Sequence, residues 1–167
     1  MALRNMRTEE DSILRKISKP IKVIDAKIIQ LLDDMEETMR HHNGVGLAAV
    51  QVGKLKRAFI VDVSEDGGEL IEFINPVLVS CEGSKQGNEG CLSVPRFNGL
   101  VERPEKTIIR ALNRHGEEFD FIAEGFLSVA INHELDHLDG IIFTDKAIEL
   151  YDKTLMDDDE QEEDDDE

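Results

Sequence analysis

Glu124-Gly125-Phe126-Leu127-Ser128-Val129-Ala130-Ile131-Asn132-His133-Glu134-Leu135-Asp136-His137-Leu138, closed by Asp139-Gly140, is the stretch on which the fold turns. Its first half is apolar nearly all round (Phe126, Leu127, Val129, Ala130, Ile131), the pattern of a helix buried inside a domain. Two histidines four residues apart on that helix lie about 40° apart around its axis and one turn apart along it. Both imidazoles of His133 and His137 therefore reach one point, the spacing of a metal site. Glu134 falls about 100° from His133 and about 60° from His137 on the same wheel, bordering that point without having to ligate. A cation with an adjacent carboxylate for proton transfer needs this arrangement. A chance recurrence of the pattern would leave polar rings unpartnered at the end of a buried helix, which is costly.

Working outward, Ile28, Leu31, Leu32, Met35 and Met39 recur three or four apart, predicting an amphipathic helix from Asp25 to His42 with Asp25 as cap and Gly44 as terminator. Gly44 to Gly53 reads as a shaped loop. Strand signals cover Arg57–Val63, Ile71–Cys81, Lys106–Leu112 and Glu118–Ala123, and Pro76 marks an edge or a break within the second. The glycine-rich segment from Gly83 to Val94 is expected to leave regular pairing. Helix, strands, helix gives an α+β single domain, with antiparallel or mixed β-sheets packed around the buried central helix. Residues 1–150 are assigned to the domain and 151–167 to a short acidic tail.

Composition narrows the class. The chain has 167 residues and a net charge of −18. From Asp157 to Glu167 every residue but Gln161 is acidic; the remainder carries 27 acids against 19 bases, an ordinary soluble surface. The tail reads as a solvated run that repels itself. Direct nucleic-acid binding is not expected, since phosphate neutralisation needs clustered Lys and Arg. Neither a secretory signal nor a membrane-spanning run is seen, so a cytoplasmic protein and a monomer are expected. With no signal peptide, a disulfide between Cys81 and Cys91 is disfavoured.

A catalytic site needs a third protein ligand. In the zinc-protease patterns that ligand would fall at Phe143 or near Glu160 in the acidic tail, neither of which serves. Cys81, within an apolar strand, reads as a small buried hydrophobe. Cys91, in Glu89-Gly90-Cys91-Leu92-Ser93, reads equally well as a buried hydrophobe or as a metal ligand. Gly44-Val45-Gly46-Leu47-Ala48-Ala49-Val50-Gln51 reads first as a helix terminator and tight loop. Its glycines would also permit close backbone approach to a ligand, and Gln51 could steady an oxyanion.

Taken together, these three segments resemble the peptide deformylase family in order and spacing, with matching flanks at Ile13-Leu14-Arg15, Asn75-Pro76 and Val101-Glu102-Arg103-Pro104. The resemblance spans roughly Ile13 to Asp145. It implies an enzyme that removes the formyl group from the N-terminal formylmethionine of new polypeptides, releasing formate. It implies ferrous iron (Fe2+) as the physiological metal, with Zn2+, Ni2+ or Co2+ able to replace it. Carried over by position, Cys91, His133 and His137 ligate the metal and Glu134 handles protons. Gln51 and the backbone N–H of Leu92 hold the oxyanion. Gly46 and Glu89 contact the substrate, and Val45 and Val129 wall the methionine pocket. Asn132 stands where many members have Gln, which could alter the hydrogen bonding around the metal. The basic C-terminal helix that some members use on the ribosome has no counterpart, leaving at most transient ribosome contact. The rival readings are a zinc endopeptidase of the His-Glu-x-x-His type and a non-catalytic metal-binding protein.

Overall fold

The histidine-bearing helix, α2 (Phe126–Leu138), lies at the centre of the computed structural model, which describes residues 2–155. It begins two residues later than its sequence suggests. The strand before it, β7 (Glu118–Glu124), runs through Glu124, and Gly125 at φ 63° turns the chain from strand into helix. The other long helix, α1 (Ala26–His41), is capped as expected: the Asp25 carboxylate accepts the Ile28 N–H at 3.1 Å. Its predicted stripe, Ile28 to Met39, is buried. Asn43, not Gly44, takes the left-handed position (φ 56°) at its end, and the Gly44 N–H donates back to the Met39 carbonyl at 2.9 Å.

Around these helices stand two sheets. The larger contains β1 (Gly46–Ala48), β2 (Ala58–Val61), β3 (Ile71–Glu82), β6 (Lys106–Leu112) and β7, in the order β1-β2-β3-β6-β7. The smaller joins β4 (Lys85–Cys91), β5 (Val94–Arg103) and β8 (Glu149–Asp152) in that order. Among the described residues every strand ladder is antiparallel, and the parallel component is an isolated bridge, Lys19 with Lys56. Along β2, Ala58 and Ile60 face α1 while Phe59 and Val61 face α2, so the strand is apolar throughout because both its faces are covered. Helix α2 contacts β1, β2 and β7 of the larger sheet and β5 of the smaller. This bridging position brings histidines and cysteine together.

Several expectations are corrected. The Gly44–Gly53 loop contains β1 and a 3-10 turn, Ala49–Val52. The Gly83–Val94 segment does pair: β4 is held in register by β5, Glu89 opposite Gly99 and Cys91 opposite Val94, across a bulge. Ladder bonds are backbone bonds, so a mostly solvent-facing strand forms without the apolar alternation that would announce it. Pro76 marks the expected irregularity: the β3–β6 register shifts between Ile74 and Val77. Asn75, at φ 49°, clasps the Ile21 backbone there through both ends of its amide at 2.8 Å. Cys81 is exposed rather than buried, because β3 beyond Val77 runs with neither face covered. Phe126 is 59% exposed, unlike Ala130 and Ile131 on the same helix. Strand β8 crosses the expected boundary at residue 150; the acidic run Asp157–Glu167 lies outside the described residues.

Candidate metal centre

Cys91 closes strand β4, and His133 and His137 lie one turn apart in the second half of α2. Their ligand atoms all lie within 4.8 Å of one another. The Cys91 Sγ stands 3.4 Å from the His137 Nε2. A tetrahedral ion at about 2.3 Å from sulfur and about 2.0–2.1 Å from nitrogen would hold those two atoms about 3.5 Å apart, so the pair has the span a metal requires. His133 turns its Nδ1 to the Glu89 carboxylate at 2.9 Å, leaving Nε2 as its donor. Burial, helped by the neighbouring positive charges of His133 and Arg103, holds the His137 imidazole well below its usual range, so this ring is a neutral donor. Burial would depress His133 too, but its bonds to Cys91 and Glu89 and the Glu134 charge hold it up at about 10. The residues fit a metal.

Glu134 is almost fully buried beside these donors but is not one of them. Its Oε2 has no hydrogen-bond partner among the described residues. Burial pushes its carboxyl up to about 7, against the pull of His133 and Arg103. The group fits because β1 offers glycine opposite: a Cβ at Gly46 would stand 2.7 Å from the Glu134 Oε1. Gln51, on the 3-10 turn after β1, is 1% exposed. Its Oε1 accepts the Ala48 N–H at 2.9 Å, which fixes which end of the amide faces the centre. Its Nε2 then donates to the Ser93 Oγ at 3.1 Å and lies 3.5 Å from the Cys91 sulfur.

Arg103 is the residue whose part the sequence left unread. Buried on β5, it binds Glu89 through two parallel bonds of 2.8 and 2.9 Å and reaches Asp136 on α2 at 2.6 Å. Burial would raise the Glu89 carboxyl, but the bonds from His133 and Arg103 outweigh it and hold it below its usual range. Both Glu89 oxygens are therefore engaged, Oε1 by His133 and Arg103 and Oε2 by Arg103, although the residue also lines the cavity. The trace in sequence was slight: Arg103 sits two places beyond Val101, on the buried side of a strand. The departure at Asn132 has a local account, since its Nδ2 donates to the Thr107 Oγ1 at 2.7 Å and ties α2 to β6.

A cavity of about 540 Å³ opens over the centre. Cys91, His133, Glu134 and Gln51 line it, as do Leu92, Val45, Gly46 and Val129. His137 lies beneath, fully buried. The apolar first half of α2 lines the cavity with Phe126, Val129 and Ala130. Lys153, from the segment after β8, lines the cavity too and was not anticipated. Phe143, in the one-turn helix α3 (Phe143–Lys146), occupies the position where a protease of this pattern would carry its third histidine; it is buried with its ring stacked near His133, centroids 6.1 Å apart.

Comparison with known proteins agrees with this geometry. The family described as polypeptide deformylase matches residues 3–153. A peptide deformylase of Caldicellulosiruptor bescii is 54% identical over 148 residues, covering 89% of this chain and 87% of the relative. The crystal structure of a peptide deformylase from Legionella pneumophila superposes with a TM-score of 0.85 at 41% identity, over 87% of this chain and 86% of that one. A Met-Ala-Ser-bound peptide deformylase from Acinetobacter baumannii gives a TM-score of 0.82 at 34% identity, over 87% of this chain and 98% of that one. With a Cys-His-His donor set, a buried carboxylate beside it and a match along nearly the whole chain, the protein belongs to the polypeptide deformylase family.

Proposed function

We propose that Cys91, His133 and His137 hold the metal at which this chain carries out its family's reaction, with Glu134 as proton carrier. As a member of the family it is a metallohydrolase that removes the formyl group from the N-formylmethionine of nascent peptides. The observation that carries the assignment is the meeting of three metal-binding atoms and one unpartnered carboxylate at a single cavity.

A dication bound there supplies Lewis acidity, acidifying water and polarising a carbonyl. Glu134, held near neutrality by burial, takes the proton of the attacking water at its carboxylate and returns it to the departing amine. The Gln51 amide and the Leu92 N–H donate to the oxygen that gains charge; one such donor is typically worth about 2.7–4 kcal/mol of barrier. Glu89, fixed by Arg103, holds His133 in the tautomer that donates through Nε2. Gly46 keeps Glu134 in place, and Val45 and Val129 wall the methionine side chain. Fe2+ is the proposed resident ion, with Zn2+, Ni2+ and Co2+ as replacements; one sulfur and two imidazoles suit all of them. Residues 1–150 form the bulk of the catalytic unit, which β8 and Lys153 carry to residue 153, and the acidic extension follows. A cytoplasmic monomer with at most transient ribosome contact fits a nascent-chain substrate, and no described helix is long and apolar enough to cross a membrane.

The test is formate release from a formyl-Met-Ala-Ser peptide by anaerobically purified protein, with and without chelator, alongside metal analysis. Chelation abolishes release and added Fe2+ restores it. Release that survives complete metal removal, or cleavage of internal peptide bonds instead, would overturn the assignment.

A further inference from the structure

The cavity has a second polar feature besides its catalytic end. Lys153 lines it, half-buried, yet makes no hydrogen bond to any residue of the centre. Among the described residues it also makes no ion pair. Its neighbour explains why. Asp152 is turned away, paired with the Arg96 guanidinium at 2.7 Å, and accepts the Thr154 N–H at 3.0 Å. Those bonds hold its carboxyl down at about 2 and commit it to Arg96 and Thr154. Of the other titratable groups of the lining, Glu89 belongs to Arg103 and His133, Cys91, His133 and Glu134 belong to the metal site and its reaction, and His42 caps the end of α1. Among the described residues Lys153 is therefore an uncommitted lysine of the wall.

Its position is built into the fold. Strand β8 pairs with β5, Phe97 opposite Asp152 and Asn98 opposite Tyr151, and β5 pairs in turn with the cysteine strand β4. The three-stranded sheet that presents Cys91 to the metal thus also presents Lys153 to the same cavity. A peptide whose formyl group sits at the donors leaves the residues after its methionine in the remainder of that space.

We propose that Lys153 is a specificity residue that favours formyl-peptides bearing a carboxylate downstream of the methionine, on an Asp or Glu side chain or at the C-terminus of a short peptide. The inference rests on the deformylase reading and deepens it. A half-buried Lys–carboxylate pair on this scale changes binding by about 1.5- to 5-fold, and salt weakens it.

The experiment compares the full-length protein with Lys153→Met and Lys153→Arg on three substrates: formyl-Met-Ala-Gln-amide, formyl-Met-Ala-Glu-amide and formyl-Met-Ala-Gln with a free carboxyl end. The kcat/KM ratio of each anionic peptide to the neutral one is expected to be about 1.5- to 5-fold higher in the wild type than in Lys153→Met. The change lies in KM, shrinks with added salt and is rescued in Lys153→Arg. A change confined to the Glu peptide assigns the side chain as partner; one confined to the free acid assigns the terminus. Equal ratios in wild type and Lys153→Met overturn the inference. Absence of formate from all three peptides with the metal-loaded wild type would instead sink the deformylase reading.

Discussion

Two helices in this molecule bury polar groups, and they do so to opposite ends. In α1, Asp34 accepts bonds from the Ala2 N–H, the Gln30 amide and the Arg4 guanidinium at 2.7–2.9 Å. Thr38 donates to the Asp34 carbonyl at 2.8 Å and accepts the Arg4 N–H at 3.0 Å. Each of these contacts closes within the chain, and those from Ala2 and Arg4 tie the N-terminal segment down. In α2, the Glu134 Oε2 and the His137 Nδ1 are buried with no partner among the described residues. Unpaired buried polar atoms cost folding free energy. The Glu37 Oε2 of α1 is unpartnered too, so the contrast lies between the closed cluster around Asp34 and the open Glu134 carboxylate beside the metal-binding donors.

That contrast can be broken by substitution. The largest effect is expected from Cys91→Ala, which removes one of three ligands: stoichiometric metal and formate release are both lost, read by elemental analysis and assay. Metal retained at full occupancy would return the cysteine to the fold-holding class. Glu134→Gln comes next, with metal kept and kcat lowered by about 10²–10⁴-fold. An active, metal-replete variant would remove the carboxylate from the reaction. Gly46→Ala places a methyl 2.7 Å from the Glu134 Oε1 and must displace it. A misplacement of this kind can cost up to about 10²-fold in kcat, with metal content unchanged.

The smallest catalytic effect belongs to α1. Asp34→Ala should leave kcat and metal content at wild-type values while lowering stability by about 1–3 kcal/mol in denaturant titration. Burial raises the Asp34 carboxyl, but its bonds to Gln30, Ala2 and Arg4 outweigh this and hold it below its usual range. The stabilisation is therefore present above the unfolded value of about 3.9 and lost as pH falls through the folded one. The variant should accordingly show a flatter loss of stability below about pH 4. A kcat defect instead would merge the two classes.

How much of this was legible in advance followed from what each element packs against. Helix α1 has one wet face, so its apolar positions recur at helical spacing and could be counted. The His133–His137 pair was legible because ligand geometry on a helix depends on spacing alone. Strand β4 was not: its residues are polar or glycine, and only the backbone of β5 specifies it. Cys81 and Phe126 both misled by sitting in apolar runs. Cys81 lies on the uncovered end of β3, and Phe126 opens onto the cavity. Arg103 escaped because its importance lies in partners, Glu89 and Asp136, brought to it from a different strand and from α2.

The sulfur of the centre and its farther imidazole are 46 residues apart in the chain. An ion gripping both is a removable crosslink, closing a long loop across β5, β6, β7 and nearly all of α2. Such a clasp reduces the freedom of the unraveled polypeptide as well as serving the chemistry, and it stabilises the native form in proportion to the logarithm of free ion over dissociation constant. The thermal midpoint of this enzyme should consequently rise and fall with the supply of metal, making its lifetime a reporter of the same equilibrium that governs its turnover.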